Sequence, residues 1–240
     1  MNADMKSLSD LPEIDFGAAD YLAAPLPTLA GFAEKFKLGR SKRGIEIFDY
    51  DMCRDTILNR SFGTGHPKLM VVLGLPEGPA LTYKRRSISF HNRGETRRRL
   101  RVPITTLMGP QGSERFRIDI KHVVNVTFGE IEKKQPIDLI NELCDRIPSR
   151  VYCYWIDAPM EDAEFVSKTS HIVQQVHTRD PKTTAEVTKG FEELLDYVDR
   201  RVAITRQSLG DNLLSDLVRA ADAGHLSEDE LRNWVVKMAE

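Results

Sequence analysis

Cysteine is scarce in this chain: Cys53, Cys144 and Cys153 are its only three. Three cannot all pair, and none forms a C-x-x-C, which argues against a disulfide framework and against a structural zinc site. Each reads as a small buried side chain. Long hydrophobic runs are lacking too. The longest, Leu69 to Leu75, is closed by Gly74 and Pro76 and falls far short of a membrane span. Met1 to Asp15 holds several acids and no apolar secretory core, so a cytoplasmic protein without membrane contact is expected. Internal repeats and low-complexity tracts are missing. So are G-x-S-x-G, a phosphate loop and H-E-x-x-H, and Gly63-Thr-Gly65 lacks the third glycine of a dinucleotide loop. The six histidines are scattered. His171 and His177 share a predicted helix but, six apart, face different ways, and His66 and His91 read as solvent-facing.

What is present is the balance of a globular protein, 41% apolar and 29% charged, with a length that allows one large domain or two ordinary ones. The formal charge of −2 hides an asymmetry. Between Lys84 and Arg101 stand eight Lys/Arg and one acid, Glu95, whereas the remainder holds 26 bases and 35 acids. Such a basic stretch on an acidic protein suggests an anionic partner or ligand. No aromatic interleaving or zinc-finger spacing points to nucleic acid, and none is expected as a partner.

The spacing predicts a mainly α protein. Residues 1–27, with Pro12, Pro25 and Pro27, read as an irregular arm, and residues 28–240 as a helical domain. A helix from Leu29 to Leu38 with Gly39 as C-cap, one short strand near 45–48 and a helix from Tyr50 to Asn59 are expected. Residues 61–92, rich in Gly and Pro, read as a long loop. Helical periodicity then dominates: Phe116 to Ile131 with Ser113 as cap, Ile147 to Trp155, Phe165 to Val176, Val187 to Val202, and Leu213 to Val218 capped by Asp211. The last helix opens on a Ser227/Glu230 capping box. Its stripe Leu231, Trp234, Val235 and Met238 runs to the C-terminus with no stop signal.

Several short motifs follow one another in a fixed order. Ile45-Glu-Ile-Phe-Asp-Tyr-Asp51 precedes Ile57-Leu58 and Phe62; then come Pro136-Ile-Asp-Leu139, Ile147-Pro-Ser-Arg-Val151 and Ile156-Asp-Ala-Pro159 with Glu161-Asp162. Gly210-Asp-Asn-Leu-Leu-Ser215 and Leu226-Ser-Glu-Asp-Glu-Leu231 complete the series. In order and spacing they resemble the N-terminal half of bacterial cytochrome P450s, the heme-thiolate monooxygenases. The resemblance implies the N-terminal part of that fold and the oxidation of a small apolar organic substrate, with a ferredoxin-type electron donor. It also implies that Arg97-Arg-Arg-Leu-Arg101 stands at the family's H-T-R-L-R segment, whose first and last members reach the heme propionates. Arg101 matches the propionate arginine; Arg97 replaces the histidine, and a guanidinium also binds carboxylates. Pro103 departs from the pattern and is expected to kink or end that helix. Leu69, Met70, Val71 and Val72 fall where the family lines its substrate pocket, with plain packing under a loop as the other reading.

By the same resemblance, the oxygen-activating acid–Thr pair would begin just beyond Glu240 and the iron-ligating cysteine loop further on. None of the three cysteines sits in an F-x-x-G-x-x-x-C-x-G context. The isolated chain is therefore expected to bind no heme and to be incompetent as an enzyme. Its partner would be a complementary C-terminal half, or a second copy drawn to an uncovered apolar face. The alternative is a heme-free remnant acting as a binding or structural module.

Overall fold

The computed structural model describes residues 7–63, 68, 70–71, 74–88, 94–131, 136–177 and 181–240. It divides into two compact units, Met1–Gly63 and Thr64–Glu240. Mainly helical architecture with a little β structure is as expected; several element assignments change.

In the first unit a turn of 3-10 helix, Leu8–Asp10, precedes α1 (Ala19–Ala23) and α2 (Pro25–Ala33). The arm expected to be irregular is thus partly helical. Pro25 and Pro27 fall in the first turn of α2, where backbone N–H groups have no intrahelical acceptor and proline forfeits nothing. The helix then stops early, because residues 38–41 are taken by β1 (Leu38–Ser41), which pairs antiparallel with β2 (Gly44–Ile47). The expected strand near 45–48 is β2; its partner was hidden in the supposed helix. Gly39 is accordingly a strand residue and not a C-cap. A Cβ there would lie 2.9 Å from Phe32 Cε1 and 3.2 Å from Phe48 Cε2, so the missing side chain lets two aromatic rings close over the strand. The outer edge of β1 is occupied: the Ile14 N–H donates to the Arg40 carbonyl and the Arg40 N–H to that of Pro12, each at 2.9 Å. α3 (Tyr50–Leu58) starts where the sequence placed it, with the Asp49 carboxylate accepting from the Met52 N–H at 3.0 Å.

Inside the stretch read as loop the second unit forms α4 (Pro79–Arg86). Gly78 and Pro79, which look like breakers, initiate it: proline at N1 is preorganised for a helix start. α5 (Gly94–Met108) continues through Pro103 instead of ending there, α6 is Pro110–Glu114 and α7 is Arg117–Ile131. Ser113 lies within α6 and caps nothing at α7. A π-helical turn, Ile140–Cys144, leads into α8 (Arg146–Trp155). α9 (Ala163–Gln174), the long α10 (Thr184–Gln207), α11 (Leu213–Asp222) and α12 (Glu228–Ala239) follow. Asn212, not Asp211, caps α11, its side-chain oxygen accepting from the Ser215 N–H at 2.8 Å. His171 closes α9, whereas His177 ends the next 3-10 turn, Gln175–His177. Among the described residues no helix is long and apolar enough to cross a membrane.

The core gathers around α10, whose Phe191, Leu194 and Val198 are fully buried together with Val173 of α9 and Leu217 of α11. α12 packs against α4, α8, α9, α10 and α11. The stripe expected to lie uncovered is therefore largely covered by the chain itself: Leu231 and Val235 are buried, and Trp234 and Met238 are half-buried. The Ser170 hydroxyl and the Gln174 amide of α9 donate to the carbonyls of Ala239 and Glu240.

α9 and α10 pack closely at Gly190, where a Cβ would come within 2.7 Å of Ile172 Cγ2. Gly190→Ala should lower stability by about 1–2 kcal/mol, overpacking outweighing the better helix propensity of alanine. Ile172→Ala opens the same space, so the double variant should lose less in urea melts than the two single variants added. Strict additivity would disprove the contact.

Candidate functional site

The candidate site is the charged seam between α5 and α12. On a helix, residues four apart lie about 40° from one another and residues two apart about 160°. Arg97 and Arg101 thus share one face of α5, while Arg99 occupies the opposite face. Arg99 meets α12: its two terminal nitrogens donate to the two Glu230 carboxylate oxygens, one of them at 2.7 Å. Glu230 also accepts the Ser227 N–H at 2.8 Å, closing the capping box from which α12 starts. The other first-turn acids are held as well, Asp229 by Arg86 of α4 and Glu228 by Arg206 of α10, the latter at 2.6 Å. Acids at a helix N-terminus are already favoured by its dipole, and here arginines from three helices neutralise them.

This pairing corrects the picture of residues 84–101 as an open basic face. Lys84, Arg86 and Arg99 are committed to α12, Arg85 to Glu77 at 2.7 Å, and Arg98 to Glu95 at 2.8 Å. Arg97 is half-buried. Arg101 is exposed and has no ion-pair or hydrogen-bond partner among the described residues. Of the four residues matched to a substrate pocket, Met70 is fully buried and Val71 is 49% exposed; Leu69 and Val72 lie outside the described residues.

Cys153 is buried, which pushes its thiol up to about 12; Cys144 is exposed and Cys53 half-buried. The described residues contain no cluster of His, Cys, Asp or Glu that could hold a metal ion.

One group of functional interest escaped the sequence. At the far end of α12 the Glu240 carboxylate is buried and ion-paired with Lys84, itself 3% exposed. It also accepts from the Tyr83 hydroxyl at 2.8 Å and from the Lys237 ammonium at 2.9 Å. Burial, and after it the Lys237 ammonium, pushes Lys84 below the usual lysine range. Lys84 and Tyr83 fall in the stretch read as loop, and only the charge of Lys84, first in the basic stretch, was legible locally.

These helices define a class. They form the N-terminal part of the cytochrome P450 fold. No family model matches the sequence. The chain is nevertheless similar to luteothin monooxygenase of Streptomyces thioluteus, 24% identical over 231 residues, which cover 95% of this chain and 56% of the relative. It is similar also to the cytochrome P450 BJ-1 homolog of Sinorhizobium fredii, 24% identical over 92% of this chain and 55% of that protein. Among solved structures, CalO2 superposes with a TM-score of 0.72 at 20% identity, covering 95% of this chain and 58% of CalO2. The cytochrome P450 enzyme CxnD does so with a TM-score of 0.71 at 21% identity, covering 96% and 57%. In sequence and in fold the chain is similar to the N-terminal portion of cytochrome P450s. It spans somewhat over half the length of the relatives quoted.

The Arg99 guanidinium, followed by the Ser227 N–H, holds the Glu230 carboxyl down at about 2, against an ordinary 4.5. A depressed carboxylate stabilises the fold above its unfolded value and loses that contribution as pH falls. Glu230→Gln should thus cost about 1–2 kcal/mol at neutral pH through the weakened cap and lost ion pair. The gap to wild type should close between pH 4.5 and about 2. Urea midpoints measured across that range check this; a gap independent of pH would refute it.

Proposed function

We propose that this chain supplies the N-terminal portion of a cytochrome P450 monooxygenase, a heme-dependent enzyme that oxidises a small, mainly apolar organic substrate. It is not competent by itself. The observation that carries this reading is the continuous likeness to a P450 monooxygenase over 95% of the chain.

The residues present fit one edge of a heme. Arg97 and Arg101, one turn apart on α5, are the guanidinium donors we assign to the propionates, and Arg101 has its donors available. The heme, when bound, supplies the iron at which oxygen is activated. None of Cys53, Cys144 and Cys153 stands in the family's F-x-x-G-x-x-x-C-x-G context, so we assign the thiolate for that iron to a segment outside this chain. Met70 and Val71 are our candidates for contact with the apolar substrate. The remaining role of the chain's own residues is to hold α5 at a fixed rotation, which the Arg99–Glu230 pair supports by engaging the opposite face.

The partner is a complementary C-terminal P450 half or, without it, a second copy of the chain. A ferredoxin-type donor supplies electrons to the assembled enzyme, and the setting is cytoplasmic.

This chain without a partner should show no thiolate-type band in its reduced, CO-treated spectrum. With a complementary C-terminal half, a Soret band should appear. Arg101→Ala should then lower heme occupancy after gel filtration about tenfold, the loss of a charge-assisted bidentate contact, and Arg98→Ala should leave it near wild type. No Soret band in the assembled protein would favour the heme-free module, and equal losses in the two variants would remove Arg101 from the site.

A further inference from the structure

We infer that a small recess in the α5–α12 seam is a binding site for the hydroxyl group of a neutral, otherwise apolar alcohol, with Asn233 as its hydrogen-bonding residue. Met70 and Val71 take no part in it, and it needs no heme.

Asparagine is a poor helix former, because its amide competes for backbone hydrogen bonds, and a buried amide is seldom left without a partner. Asn233 nevertheless lies inside α12 and is 6% exposed, in sequence between the buried Leu231 and Val235. Among the described residues its side-chain nitrogen is enclosed and has no hydrogen-bond partner. Leaving such a group unmatched is costly, so the position favours an occupant that completes it. The amide lines a recess whose other walls are Arg86 at the end of α4, Ile88 just beyond it, Leu100 of α5, and Glu230 and Trp234 of α12. The free space is about 10 Å³, enough to seat one hydroxyl-sized group.

The lining defines the class of ligand. Glu230 already accepts from the Ser227 N–H and from both terminal nitrogens of Arg99, and Arg86 is paired with Asp229. One charge of each sign flanks the recess, which favours neither an anion nor a cation. The Asn233 carboxamide is the polar group left to engage, and it carries both donor and acceptor. A hydroxyl matches it in either sense, accepting from the nitrogen or donating to the oxygen. Water would turn its further hydrogen-bonding sites toward Ile88, Leu100 and Trp234, whereas a buried water is held by about two to four polar partners. An alcohol needs fewer partners and sets its carbon skeleton against those same apolar walls. Trp234 reports on occupancy, because its side chain forms one wall of the site.

The test follows Trp234 fluorescence in this chain without heme. The sequence has two tryptophans, so Trp155→Phe leaves Trp234 as the only one; among the described residues the Trp155 indole nitrogen has no hydrogen bond to lose. In that background benzyl alcohol should change the emission saturably, and toluene, which lacks the hydroxyl, is the reference. Asn233→Leu keeps the size of the side chain and removes its amide. It should lower the affinity for benzyl alcohol, relative to that for toluene, about tenfold, the worth of one hydrogen bond to an enclosed group. Asn233→Ala should lose the same preference, and Asn125→Ala, at an exposed position on α7, should keep it. Far-UV circular dichroism checks that each variant is folded. An unchanged ratio in both Asn233 variants would overturn the inference, as would an equal loss in Asn125→Ala or the lack of a saturable response. A crystal grown with benzyl alcohol that holds only water against Asn233 would overturn it too.

Discussion

The Glu230 carboxylate accepts from the Ser227 backbone and from both arms of the Arg99 guanidinium, and much of the second unit is arranged around that convergence. The capping-box bond sets where α12 begins. The ion pair ties that starting point to α5, 131 residues earlier in the chain. Because Arg99 lies across the helix from Arg97 and Arg101, engaging it against α12 turns the other two away from the seam. A guanidinium suits this task better than an ammonium, since its two parallel donors fix an orientation as well as a distance. The pairs Arg86–Asp229 and Arg206–Glu228 repeat the device from α4 and α10, so the α12 N-terminus is held from several sides.

The two ends of α12 differ in how their charges are solvated. At the N-terminus the arginines remain partly exposed, and each pair adds modestly to stability. At the C-terminus Lys84 and Glu240 are removed from water, and desolvation becomes the dominant cost. The helix between them is anchored by apolar contact, with Leu231, Val235 and Val236 fully buried. Packing therefore carries the stability of α12, while its terminal charges specify what it meets. Side chains of α9 donate to the carbonyls of Ala239 and Glu240.

Likeness to P450 structures at 20–21% identity is intelligible on the same grounds. Helix packing of this kind needs apolar residues at helical spacing and small residues at close crossings such as Gly190, and many sequences meet those demands. The arginines of α5 and the lysines around Glu240 carry a second layer of information, laid over the packing.

Much of the architecture was legible in the sequence because it depends on neighbours. The Ser227/Glu230 box, the Asp49 cap, the β2 strand and the apolar faces of α7 to α12 all follow from spacings within a turn or two, and the ordered motifs carried the family resemblance. Other features depended on contacts that no local spacing encodes. Gly78 and Pro79 read as breakers until the buried face of α4 made them a helix start, and Gly39 read as a cap until Phe32 and Phe48 closed over it. The basic stretch kept its charge, but Arg99, Arg86 and Lys84 proved to pair with Glu230, Asp229 and Glu240, each more than a hundred residues away. Sequence by itself determined which segments could be helices and which residues carry charge, because backbone propensity and periodicity are local. Tertiary structure alone decided which charges are neutralised, buried or left for a ligand, because Coulomb and desolvation energies depend on distances that exist only once the chain has folded.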